Sequence, residues 1–162
     1  MSDAQPAQVL IVDDDLNIRA GLAKLLSRHP EFLVVGEAAN AFDALATAEN
    51  RGGDVALVDL YLPGFHGFTL IEKLRFMQPK LKILVYTAHD DEYFALNALR
   101  AGALGFVSKS EPAENTITAL RTVLAGQLYL EDGLRQRLLS LVANTPEIEV
   151  RGLFPTDPRP PV

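Results

Sequence analysis

The sequence predicts an α/β fold, a parallel sheet with helices packed on both faces. Three observations carry this. Five short apolar runs recur along the chain, each run is continuous rather than alternating, and segments of helical length separate them. Continuous apolar runs are the pattern of strands buried on both faces. Regular strand–helix alternation implies right-handed crossovers into a parallel sheet.

In chain order, the expected strands are Val9–Val12, Phe32–Val35, Val55–Val58, Ile83–Tyr86 and Leu104–Val107. After the first, Ile18, Leu22, Leu25 and Leu26 recur at i, i+4, i+7 and i+8, the apolar stripe of a helix. The stretches 41–50, 67–77 and 91–101 have helical length and composition, with Asn40 and Asp90 as N-caps for two of them. Ile117, Leu120 and Leu124 form a further stripe after the fifth strand. Leu134, Leu138, Leu141 and Val142 give one more amphipathic helix, which either packs back on its own domain or meets a partner.

Composition narrows the function classes. The 162 residues carry a net charge of −6, and 48% are hydrophobic, which is a globular composition. The absence of cysteine excludes a disulfide framework, a thiolate metal site and cysteine catalysis, and fits a reducing, cytoplasmic compartment. No apolar stretch approaches membrane-spanning length, and the start lacks the basic and apolar regions of a signal peptide. The acidic balance argues against direct nucleic-acid binding by this chain, because phosphate neutralisation needs clustered Lys and Arg. Five of the ten prolines fall in the last 19 residues, so the stretch 145–162 is expected to be a disordered tail.

In open parallel sheets the ligand site lies outside the C-terminal strand ends. There the chain places Asp13, Asp14 and Asp15 after the first strand, Asp59 after the third, Thr87 at the fourth and Lys109 after the fifth. Asp15 can be read simply as a helix cap, Thr87 as a turn residue and Lys109 as a solvated charge. Asp13, Asp14 and Asp59 are harder to explain that way. Two carboxylates about 4 Å apart repel by roughly 4 kcal/mol at an effective dielectric near 20, so a fold that gathers three needs a compensating cation. Mg²⁺ suits the set, since it takes one or two carboxylates, waters and a phosphate oxygen. No calcium-loop pattern is present. With Lys109 as a positive charge across the pocket and Thr87 as a hydroxyl donor, the groups suit phosphoryl binding, with Asp59 as the nucleophile. Pro63 and Gly64 shape the turn that follows it. The histidines His29, His66 and His89 have no ligand spacing and read as surface or turn residues.

Four fragments at these strand ends, VLIVDDD at 9–15, ALVDLYLPGFHGF at 56–68, VYTA at 85–88 and AGALGFVSKS at 101–110, resemble the receiver domain of two-component response regulators over roughly residues 8–125. The resemblance implies a flavodoxin-like (βα)5 three-layer sandwich with parallel sheet order 2-1-3-4-5, here with a C-terminal helix. It implies that Asp59 accepts a phosphoryl group from a sensor histidine kinase. Asp14, Asp59 and the Tyr61 carbonyl would ligate Mg²⁺, with Asp13 acting through water. Thr87 and Lys109 would hold the phosphoryl oxygens, and Phe106 would be the switch aromatic where the family more often has Tyr. The chemistry implied is self-phosphorylation and slow self-dephosphorylation, not turnover of a metabolite. The family often has proline after the position of Lys109; Ser110 stands there instead and reads as a cap for the next helix. Homodimerisation or partner docking through the fourth and fifth helices is implied as well.

The organisation expected is a receiver at 7–126, a linker-like amphipathic helix at 127–144 and the proline-rich tail. The linker resembles that of NarL/FixJ-type (LuxR-class) transcription regulators, without the length or basic helix of a helix-turn-helix module. The alternative is a stand-alone receiver acting as an adaptor or phosphorelay intermediate. A Mg²⁺-dependent aspartyl-phosphate phosphatase stays open by pattern, because Asp13–Asp15 contains D-x-D, but the Asp59 turn and the lack of a cap domain argue against it.

Overall fold

The computed structural model describes residues 4–144, so the expected proline-rich tail lies outside the described residues. The main sheet is parallel and has six strands: β1 (Ala7–Val12), β2 (Phe32–Ala38), β3 (Val55–Val58), β6 (Lys82–Thr87), β7 (Gly105–Ser108) and β8 (Tyr129–Leu130), in the order β2-β1-β3-β6-β7-β8. The five longer strands reproduce the expected order 2-1-3-4-5. A separate hairpin, β4 (Tyr61–Leu62) with β5 (Phe65–His66), follows β3. The helices are α1 (Leu16–Ser27), α2 (Ala41–Arg51), α3 (Gly67–Met77), α4 (Glu92–Ala101), α5 (Ala113–Leu124) and α6 (Asp132–Asn144).

The apolar runs feed two cores because side chains alternate across a strand. Val9, Ile11, Val55, Leu57, Leu84 and Val107 pack with Leu22 and Leu26 of α1 and Ile117 and Leu120 of α5. Leu10, Val12, Ala56, Val58, Val85 and Phe106 turn the other way, into a cluster with α2, α3, α4 and α6. A sheet covered on both faces has no solvated side, so its strands read as unbroken apolar runs.

Local chemistry sets the helix starts. Asp15 caps α1 by accepting from Asn17 N at 2.8 Å, and Asn40 caps α2 by accepting from Asp43 N at 2.8 Å. The cap of α4 is Asp91, one residue beyond the expected Asp90, and accepts from Phe94 N at 2.8 Å. Ser110 does not cap α5. Its hydroxyl lies 2.8 Å from the Ser108 hydroxyl, and Pro112 opens the helix without a side-chain cap bond.

The C-terminal segment packs back on its own domain. β8 pairs in parallel with β7, Gly105 opposite Tyr129 and Phe106 opposite Leu130. Leu130, Leu134 and Leu138 are buried in the cluster that holds α4, and Arg137 of α6 lies 3.5 Å from Glu92 of α4. The edge between the fourth and fifth helices, where the resemblance implies docking, carries the chain's own strand and helix.

Candidate functional site

Two neighbouring central strands set the site. Val12 pairs with Val58, and the ladder runs one step further through Asp59 N to Val12 O at 2.8 Å, so Asp13 and Asp59 leave adjacent strands at the same level. Both are buried, while Asp14 stays exposed. The carboxylates of Asp13, Asp14 and Asp59 each offer an oxygen within 4.8 Å of the others. The structure thus brings together the three acidic residues singled out from the sequence.

Thr87 and Lys109 arrive from the next two strands. Thr87 is fully buried, its Oγ1 accepting from His89 N at 3.3 Å, and Lys109 N donates to Thr87 O at 2.7 Å. The sequence places the Lys109 charge across the pocket; the structure puts it among the carboxylates. Its Nζ lies 2.7 Å from Asp13 Oδ2 and 2.8 Å from Asp59 Oδ2. The Lys109–Ser110 peptide is trans.

The electrostatics are uneven across this triad. Burial holds the Asp13 carboxyl above its ordinary pKa, although Lys109 and the Asp15 N–H pull the other way. Burial works against the charged Lys109 too, yet the Asp13 and Asp59 carboxylates beside it prevail and raise its pKa. The Asp13 Oδ2 contact with Lys109 lacks hydrogen-bond geometry, which leaves this oxygen as the buried side-chain polar atom without a hydrogen bond among the described residues. Three carboxylates that share a single ammonium fit a hard divalent cation of the Mg²⁺ type.

Tyr61 donates its backbone N–H to Asp59 Oδ1 at 3.1 Å, which fixes the acid's orientation. Its ring is exposed and stacks on His89 at 3.8 Å and on Phe94 at 5.4 Å. Phe106 is buried and meets Phe94 edge-on at 6.2 Å. A cavity of about 410 Å³ runs from Asp14 along the hairpin, lined by Tyr61, Pro63, Phe65, Phe68 and Phe94.

Two contributors are not legible in the sequence. Arg19 donates to the Asp13 carbonyl at 2.6 Å and lies 3.5 Å from Glu37, tying α1 and β2 to the end of β1. The one signal is its place a turn after the cap Asp15. His89, which reads as a surface or turn residue, stacks on the Tyr61 ring of β4, distant from it in sequence.

The arrangement offers a buried carboxylate on a fixed turn, a cation pocket and a lysine and threonine at hand for anionic oxygens. A family model for the response regulator receiver domain matches residues 9–121. The nitrate/nitrite response regulator protein NarL of Escherichia coli is 35% identical over 160 residues, covering 97% of this chain and 74% of that protein. Response regulator GacA of Pseudomonas aeruginosa is 34% identical over 131 residues, covering 81% of this chain and 61% of that protein. Among solved structures, a LuxR-family two-component response regulator from Aurantimonas aligns with a TM-score of 0.81 at 31% identity, over 86% of this chain and all of that one.

Proposed function

The chain belongs to the response regulator receiver domain family of two-component systems, and from that premise we propose that it is a phosphorylation switch whose acceptor is Asp59. An Asp59 carboxylate oxygen attacks the phosphorus of a phosphohistidine on a sensor histidine kinase. The P–N bond breaks, the imidazole leaves with a proton from solvent, and an acyl phosphate remains. The observation that carries this reading is the convergence of Asp13, Asp14, Asp59 and Lys109 at the ends of β1, β3 and β7.

When bound, Mg²⁺ would supply charge neutralisation for the incoming phosphoryl group, held by Asp14, Asp59 and the Tyr61 carbonyl with Asp13 acting through water. The chain's own residues do the rest. Tyr61 N–H orients the acceptor, Lys109 exchanges a carboxylate for a phosphoryl oxygen, and Thr87 offers its hydroxyl to another. The added charge of about −1.5 to −2 then draws the loops after β6 and β7 towards Asp59. This is a cytoplasmic signalling device rather than a metabolic enzyme. By its likeness to NarL and GacA, its output is that of a transcription regulator of the NarL/FixJ type. Homodimerisation through α4 and α5 requires α6 to leave α4.

Exposure to a small phosphoryl donor with Mg²⁺, followed by intact mass measurement, tests the reading. A labile phosphate-sized adduct is expected on the wild type only with the metal, and none on Asp59→Asn. An equal adduct on the variant would move the acceptor elsewhere.

A further inference from the structure

We infer that Glu111 is a positioning residue for phosphoryl binding: its carboxylate locks the loop 108–111, so that Lys109 meets the phosphoryl group already in place. The inference rests on Asp59 being the acceptor and extends that reading to a residue outside the pocket.

Lys109 reaches the carboxylates on a flexible four-carbon stem, so what its ammonium contributes depends on how firmly its backbone is held. No proline stands at 109–111 to stiffen that backbone. Hydrogen bonds stiffen it instead. Glu111 Oε2 accepts from Ser108 N at 2.6 Å, and Glu111 N donates to Ser108 O at 3.0 Å. These two bonds close a ring around Lys109 and Ser110. Within it, Ser110 N donates to Ser108 Oγ at 3.3 Å, and Lys109 N ties the ring to β6 through Thr87 O at 2.7 Å. The proline that follows, Pro112, disfavours helical backbone at Glu111 and so keeps α5 from extending back over the loop.

The carboxylate is itself fixed. Asn115, in the first turn of α5, donates its Nδ2 to Glu111 Oε1 at 3.1 Å. A negative charge at this end of a helix is favourable, and α5 has no side-chain cap of its own. From β8, the Tyr129 phenol faces the same group: burial, with the Glu111 and Glu131 carboxylates beside it, holds its pKa above the ordinary value. Glu111 is thus gripped by α5 and β8 while it grips the loop.

The bond to Ser108 matters most for Lys109. β8 pairs with β7 only at Gly105 and Phe106, and the buried Ser108 beyond them takes a side chain in place of a strand for its N–H. Without the carboxylate that N–H is left without a partner in a buried position, and the loop must shift to repair it. The shift occurs one residue before Lys109, and a displaced donor loses the benefit of preorganisation. None of the groups bonded to Glu111 belongs to the acidic cluster of Asp13, Asp14 and Asp59. The loss should therefore fall on the phosphoryl group and spare the cation.

The test uses the whole chain with beryllofluoride as the phosphoryl mimic at saturating Mg²⁺, the bound mimic being read by fluorine NMR, and Mg²⁺ alone by calorimetry. Glu111→Ala is expected to raise the beryllofluoride concentration for half-saturation by about 10-fold, as for other supporting partners of a site, with Mg²⁺ affinity no weaker than in the wild type. Glu111→Gln keeps an acceptor for Ser108 N and is expected to bind the mimic like the wild type. Unchanged half-saturation in Glu111→Ala overturns the positioning role while leaving the acceptor intact. So does a Glu111→Ala protein that loses affinity for Mg²⁺ and the mimic together, which is general damage to the fold, and so does a Glu111→Gln protein as weak as Glu111→Ala. No saturable binding to the wild type, or equal binding by Asp59→Asn, overturns the acceptor and the positioning role together.

Discussion

Lys109 donates a 2.8 Å hydrogen bond to Asp59 across 50 residues of chain, and its ammonium lies as close to Asp13. One cation thus holds two buried carboxylates. Lys109→Ala leaves both without it. In metal-free buffer this is expected to lower the unfolding free energy by about 3 kcal/mol, as for other buried ion pairs broken from one side. Mg²⁺ should restore part of the loss, and urea unfolding with and without the ion measures both.

Asp13 responds to pH with the opposite sign from a salt-bridged acid. Its folded pKa is raised above the ordinary 3.8, chiefly by burial. The charged form therefore costs stability, with no cost below the ordinary value and a growing one as pH rises through the folded value. Asp13→Asn removes that cost. The metal-free variant should lose less stability than wild type as pH rises from about 4 to 7. Thermal unfolding across pH reads the difference, and the same variant should bind Mg²⁺ more weakly by calorimetry.

Thr87→Ala separates chemistry from stability. The buried hydroxyl accepts one long bond from His89 N, so its loss should cost about 1 kcal/mol. If the hydroxyl holds a phosphoryl oxygen, phosphorylation by a small donor should slow by about 100-fold, the usual loss of one preorganised donor. Equal rates in variant and wild type would remove Thr87 from the site.

Two glycines, Gly64 in the β4–β5 turn and Gly67 at the start of α3, should fail for different reasons. A Cβ at Gly67 would overlap the Leu60 carbonyl oxygen and lie 2.6 Å from the Leu60 Cα, all backbone that cannot step aside. Gly67→Ala is expected to cost about 2 kcal/mol or more and to disturb the turn carrying Asp59. Gly64 faces open space but has φ +70°, so Gly64→Ala should cost only about 1 kcal/mol. Chemical denaturation ranks them.

The sheet and its acidic edge were legible because both come from signals local in sequence. Apolar runs mark Val55–Val58 as a strand with no error at either end, and carboxylates directly after such runs must share one edge. The features without a sequence signal depend on contacts made at a distance. Tyr129–Leu130 is too short to read as a strand, and only the waiting edge of β7 makes it one. Asp90 and Asp91 are chemically alike, so only backbone geometry picks Asp91 as the cap. The hydroxyl of Ser110 prefers a neighbouring serine to the helix end. Arg19 reaches the Asp13 carbonyl through a long, flexible side chain that leaves no periodic trace.

All four residues of β7 are buried, and on its outer side only Tyr129 and Leu130 pair with it. Such a strand, stripped of that cover, would offer unpaired amides and carbonyls flanked by apolar side chains, a template for any other extended chain. β8 is thus also a guard against self-association: a chain cut before Tyr129 would keep its acidic pocket and become sticky.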